Sequence, residues 1–155
     1  MSNVQLAAGT KLYIGAAAPA TYNKAGYEVV TWTEVGEISN ISGDVGAMYS
    51  EGTFSVLGNR GIVKRKGSYD NGNVTVEYGY YRADSGQEDL VAAVASDAPF
   101  PFKIVMTDVA DTHVYFMALV MGAPISIGGN DDFITSAVPL AIDSVSAVLK
   151  ENAPS

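Results

Sequence analysis

The chain of 155 residues has no cysteine, one histidine and nine Lys and Arg residues. Without cysteine there can be no disulfide, no thiolate metal site and no cysteine nucleophile, although the compartment stays open. With His113 as the one histidine, a metal site would need carboxylates alone or His113 plus carboxylates. Charge of both signs is scarce, at 17 % of residues against roughly 25 % in soluble domains. Such a chain has trouble covering its surface with polar groups, and burial against partner subunits is one remedy. Long apolar runs are missing too. The longest, Val114 to Ile127, contains Gly122 and Pro124 and falls short of the ~20 residues of a spanning helix. Near the N-terminus, Ala16-Ala17-Ala18-Pro19 has the look of a cleavage site. The apolar stretch before it is only Leu12-Tyr13-Ile14, against the ~7–15 residues of a secretory segment. Neither membrane insertion nor secretion is expected, and without secretion the sequons at Asn40 and Asn73 carry no weight.

Catalytic signatures are equally absent. The chain has no G-x-S-x-G, no P-loop and no dinucleotide fingerprint. Paired carboxylates have no sequence signature, but acids in strands and turns are mostly solvated. The expectation is a non-enzyme with no cofactor and no metal. His113 is expected at the surface, at the start of a strand. Gly128-Gly129-Asn130-Asp131-Asp132 has the composition of a calcium loop but lacks the EF-hand spacing and terminal Glu, so it reads as a solvated turn. Asp108 and Asp111 read as flanks of a hairpin turn.

What the chain does have is an uneven distribution of charge. Arg60, Lys64, Arg65 and Lys66 place four of the nine basic residues within seven positions. The remaining five face 17 acidic residues, so the net −8 divides into +4 on this segment and −12 elsewhere. Three readings are open: a nucleic-acid patch, a solvated limb, or a limb that docks on the acidic surface of another copy. The acidic excess favours the third, because complementary patches steer and orient association. It argues against nucleic-acid binding as the main activity, which rests on neutralising phosphates with Lys and Arg.

The length fits one domain with a real core, and its pattern is mostly strands. Thr10 to Ala16 reads as a strand, Ala17 to Gly26 as a loop, and Thr33 to Ile41 as one polar strand by its alternation. The segment 43–67 is different: it has glycines at 43, 46, 52, 58, 61 and 67, with apolar residues such as Tyr49, Phe54 and Leu57 between them. It reads as a long hairpin or flap, too apolar for simple disorder. Asp70-Asn71-Gly72-Asn73 predicts a tight hairpin turn, followed by a strand with Val74, Val76, Tyr78 and Tyr80. One helix is predicted at about Ser85–Ser96. Ser85 and Glu88 would form its capping box, and Leu90, Val91 and Val94 its apolar stripe. Phe102 to Thr107, Thr112 to Met121 and Ile134 to Ile142 read as strands, with a last short one at Val145 to Leu149. Residues 112–121 are apolar on both faces, so both need cover, from a second sheet or a neighbouring subunit. Residues 1–9 read as a mobile arm and 151–155 as a frayed end.

Several pieces, in order, resemble the tail tube proteins (major tail proteins) of long-tailed bacteriophages. They are Ala8-Gly9-Thr10-Lys11-Leu12-Tyr13-Ile14-Gly15, Thr31-Trp32-Thr33-Glu34-Val35-Gly36-Glu37-Ile38, and Leu57-Gly58-Asn59-Arg60 with Val63-Lys64. Lys66-Gly67-Ser68-Tyr69-Asp70-Asn71-Gly72 and Ser85-Gly86-Gln87 follow, and Gly128-Gly129-Asn130-Asp131-Asp132 precedes the last long strand. The resemblance implies a β-sandwich or β-barrel with one flanking helix and a long hairpin flap, as a single domain without an added immunoglobulin-like one. It implies hexameric rings stacked into the virion's tail tube, assembled in the bacterial cytoplasm. The tube would hold a tape measure protein, contact tail terminator and tail tip proteins, and pass DNA on ejection. A contractile tail or a secretion system is the alternative setting. The flap would then reach an adjacent ring, with Tyr49, Phe54, Leu57, Arg60, Lys64, Arg65 and Lys66 as its contact residues.

Overall fold

The computed structural model describes residues 4–108 and 111–152. The elements run β1 (Lys11–Gly15), α1 (Lys24–Glu28), β2 (Trp32–Val35), β3 (Ile38–Gly43), β4 (Met48–Ser55), β5 (Ile62–Asp70) and β6 (Asn73–Gly79). Then come α2 (Ser85–Val94), β7 (Phe100–Val105), β8 (His113–Val120), β9 (Ile125–Ser126), β10 (Thr135–Ile142) and β11 (Leu149–Glu151). The main sheet has the order β2-β1-β7-β8-β10-β6-β3, and every pair in it is antiparallel. β9 adds to β10, and β11 pairs with the first half of β8.

Alternation decides which side chains line the interior. Val74, Val76 and Tyr78 of β6 meet Leu12 and Ile14 of β1, Phe102 of β7, Phe116 of β8 and Leu140 of β10 in one buried cluster. Phe102 and Phe116 stack with centroids 5.7 Å apart. Val35 of one edge strand and Ile38 and Ile41 of the other reach the same cluster, so the sheet curls around a shared core. The architecture is therefore mainly β, a curled sheet flanked by α2 and extended by a long hairpin.

The helix α2 lies on β2, close enough that a Cβ on Gly86 would sit 2.2 Å from the Glu34 carbonyl oxygen. Its cap differs from the expected box. Asp84 is the N-cap and its carboxylate accepts from the Gln87 amide at 3.0 Å. Asp84 wins because the same carboxylate also accepts from the Gly36 amide at 3.0 Å, so it fastens the helix to the sheet as well. The buried stripe is Gly86, Leu90 and Ala93, while Val91 and Val94 are exposed. Gln87, also buried, donates to the carbonyls of Gly36 and Gly79 and accepts from the Tyr81 amide. These bonds hold a break in the expected strand 33–41: Glu37 turns to φ 60°, and β2 and β3 leave it for opposite edges of the sheet.

The expected loop 17–26 contains the start of a second helix, α1, capped by Asn23 through the Gly26 amide at 2.8 Å. This short helix supplies much of the cover that the second face of β8 requires. Tyr27 is fully buried, stacks on Tyr115 at 5.0 Å, and its hydroxyl donates to that of Ser146 at 2.9 Å. With Met117, Trp32 and Leu149 it forms a second, smaller cluster. The two-faced strand is thus largely covered within its own chain. His113 belongs to this side and is buried, not at the surface: Nδ1 lies 3.1 Å from the Tyr115 hydroxyl.

The Asp70–Asn73 turn does not close a hairpin. β5 pairs with β4, and β6 pairs with β3 and β10. Gly72 has φ +100°, as the turn chemistry requires, but the chain passes from one sheet to another. The Asn71 side chain is buried and donates to the carbonyls of Asp143 and Ser146. Of the terminal arms, residues 1–3 and 153–155 lie outside the described residues. Gln5 and Ala8 hydrogen-bond to the Thr107 hydroxyl. Glu151 pairs with His113 at the end of β11.

Candidate functional site

Strands β4 and β5 form a two-stranded sheet of their own, joined to the body at Gly43–Ala47 and Asp70–Gly72. Every residue of β4 is exposed, as is every residue of β5 but Val63. At about 3.3 Å per residue, the eight residues of β4 carry the tip about 26 Å outward. The Leu57 side chain stands fully in solvent at the tip, and Phe54 is 68 % exposed. The strands stay paired through a register from Met48 opposite Asp70 to Ser55 opposite Ile62, with an irregularity between Tyr49 and Glu51.

The pairing sorts the expected contact residues onto two faces, because residues directly opposite each other share a face and neighbours along a strand do not. One face carries Tyr49 opposite Tyr69, Glu51 opposite Lys66, and Thr53 opposite Lys64. The other carries Gly52 opposite Arg65 and Phe54 opposite Val63. Arg60 lies beyond both strands, in the connection at the tip. The four basic residues are therefore one limb but not one patch. Three of them already have local contacts: Lys64 Nζ is 3.7 Å from Glu51, and Lys66 Nζ sits 4.9 Å over the Tyr49 ring. The Arg65 guanidinium donates to its neighbour's carbonyl, that of Lys64, at 3.0 Å. Tyr69, 5.4 Å from Tyr49, belongs to the first face but is not among the seven expected contact residues. The irregularity in β4/β5 shifts the alternation between Lys66 and Tyr69, which is why spacing alone does not reveal it.

At the root of the hairpin is an open cleft of about 630 Å³, lined by Tyr49, Tyr69, Ile104, Met106, Val114 and Val148. A second exposed apolar region lies at the other end of β6, where Ile125, Ile127 and Phe133 border β9 and β10.

Titratable groups gather elsewhere, on the outer face of β1, β7 and β8. Lys103 Nζ lies 4.4 Å over Tyr13 and 5.2 Å from the Trp32 centroid, and burial holds its pKa below the usual lysine value. Burial, then the Lys103 charge, pushes His113 down from 6.5. Burial, with the charges of Glu28 and Glu151, pushes Tyr115 up to about 12. These shifts come from packing, since both rings are covered by neighbouring side chains. Asp108 accepts from the Thr112 hydroxyl and amide, which hold its carboxyl below the usual range. Residues 109–110 of the turn expected there lie outside the described residues. Asp132 accepts from the Gly129 amide at 2.8 Å, closing a tight turn. Among the described residues no three His, Asp or Glu side chains gather as around a metal ion, and no helix is long and apolar enough to cross a membrane.

No family model and no curated protein sequence matches the chain. Solved structures do. The SPP1 tail tube is similar over 98 % of this chain and 81 % of its own, with a TM-score of 0.67 at 15 % identity. The chain has the tail-tube fold. The same fold extends to a chain of the PVC sheath–tube complex, from an extracellular contractile injection system. That likeness has a TM-score of 0.69 at 12 % identity over 99 % of this chain and 95 % of the other. A chain of the anti-feeding prophage tube-terminating cap reaches 0.68 at 11 % identity, over 99 % and 94 %. Among the described residues of this fold, the hairpin β4–β5 forms a sheet separate from the main one, with nearly all its residues exposed.

Proposed function

We propose that this chain is the structural subunit of a tube, assembled as hexameric rings stacked end to end in a phage tail. The observation that carries this reading is the likeness of nearly the whole chain to the SPP1 tail tube. The physics of the chain supports it. β2 and β3 are the edges of the main sheet, and ring closure would pair edges that otherwise invite uncontrolled association. An acidic body lets DNA pass without the counterion-driven grip that a basic lining would exert. The tube would hold a tape measure protein, end on terminator and tip proteins, and conduct the genome on ejection. The hairpin is the inter-ring contact, and its apolar residues contribute most of the affinity while its charges orient it. The likeness to structural tube proteins favours a structural role over an enzymatic one.

A second reading places the subunit inside a contractile particle, and the likeness to the PVC sheath–tube complex favours it. Electron microscopy of the purified, concentrated protein tests the common core of both: rings or tubes are expected. A chain that sediments as a monomer at every concentration, and shows no tubes in the producing cells, sinks both. Sheathed particles would select the second.

A further inference from the structure

We propose that the hairpin β4–β5 of one copy docks on the loop between β8 and β10 (residues 121–134) of a second copy. This deepens the tube reading and rests on it. Topology places the two features at opposite ends of the body. The hairpin returns to the sheet at the start of β6, whereas the end of β6 pairs with the end of the loop, Gly79 opposite Thr135. The seven residues of β6, about 20 Å at the usual rise, separate them.

Chemistry makes them complementary. The hairpin is basic and apolar, and the loop is acidic and apolar. No lysine or arginine occurs anywhere from Ile104 to Leu149. The turn closed by Gly129 and Asp132 presents Asp131 next to Phe133, which is 88 % exposed. Beside β9 is a cleft of about 540 Å³ bordered by Glu77, Pro124 and Ile125. Arg65 with Phe54 on one hairpin face therefore meets its chemical counterpart in Asp131 with Phe133. Each copy offers one hairpin and one loop on different surfaces. A contact of that kind is heterologous, and repeated head to tail it yields an open filament of stacked rings.

The absence of native cysteine provides a clean test. Chains carrying Phe133→Cys with either Phe54→Cys or Leu57→Cys are assembled and oxidised, then run on a non-reducing gel. A ladder of disulfide-linked multimers from at least one pair, absent from each single variant, is expected. Tubes that form without a ladder from either pair overturn the docking and leave the tube reading standing. Wild-type protein that forms neither tubes nor rings overturns the tube reading itself. A charge exchange covers variants that fail to assemble. Asp131→Arg should raise the concentration needed for tubes by about tenfold, and adding Arg65→Glu in the same chain should restore it. Losses that add rather than cancel overturn the proposed pairing.

Discussion

Strands β8 and β4 are each eight residues long, yet seven of the eight residues in β8 are buried and all eight in β4 are exposed. β8 is apolar at seven of its eight positions, whereas β4 carries Met48, Tyr49 and Phe54 among polar residues and still leaves all three exposed. The difference is in their neighbours. β8 has β7 on one side, β10 and β11 on the other, and covered faces above and below. Among the described residues β4 pairs with β5 alone. An isolated two-stranded hairpin is marginal in water, so its apolar side chains gain little where they stand. In β8 burial stabilises the fold of one chain, whereas in β4 the same kind of residue can stabilise only contact with another.

Breaking the body tests this contrast most severely. Phe116 is fully buried and stacked on Phe102. Phe116→Ala should cost about 3–5 kcal/mol by chemical denaturation, from lost burial plus the cavity left behind. A much smaller loss would mean that the core is less tightly packed than the geometry implies. Phe54, of the same residue type on β4, has no comparable burial to lose.

A smaller effect is expected from pH. His113 has a pKa held below 6.5 mainly by burial, with smaller contributions from the charges of Lys103, Asp111, Glu28 and Lys24. Below pH 6.5 the unfolded chain takes up a proton that the folded chain resists, so stability falls with falling pH until the folded pKa is passed. Above pH 6.5 this contribution is constant. Thermal unfolding between pH 8 and 5 should show the decline, and His113→Gln should flatten it. An equal decline in the variant would assign the effect to other groups.

The contrast was partly legible before the fold was known. Most of the strands and the two-faced character of 112–121 follow from alternation and turn residues. Glycine spacing marks a hairpin, although its paired strands run 48–55 and 62–70, past the expected end at Gly67, and the last short strand is Leu149–Glu151 instead of 145–149. Connectivity was harder to read. Asn71-Gly72 has the chemistry of a hairpin turn, but Asn71 spends its amide on Asp143 and Ser146, across the fold. The break at Glu37 depends on Asp84 and Gln87, about 50 residues away in sequence, and no local pattern reports such partners. Tyr27 covers Tyr115 from a helix of five residues, too short to show a period. Charge clustering located the hairpin's basic residues but not the division of Lys64 and Arg65 between two faces, because strand pairing decides that.

That division sharpens the last prediction, which has the smallest effect on the fold. The pair Lys64→Glu with Arg65→Glu should leave stability within about 0.5 kcal/mol, since both side chains are solvated. The ion pair between Lys64 and Glu51 joins two exposed groups, and such pairs contribute little. Tube formation should nevertheless weaken. The two single variants then ask which face matters. Lys64 already has an acid within its own chain, whereas Arg65 shares its face with Phe54 and Val63 and has no acid beside it. Arg65→Glu should therefore impair tube yield more than Lys64→Glu, as counted by electron microscopy at matched concentration. If the order is reversed, the Tyr49–Tyr69 face carries the contact. If the double variant assembles like wild type, neither Lys64 nor Arg65 takes part in stacking, and the apolar side chains with Arg60 and Lys66 must orient the hairpin.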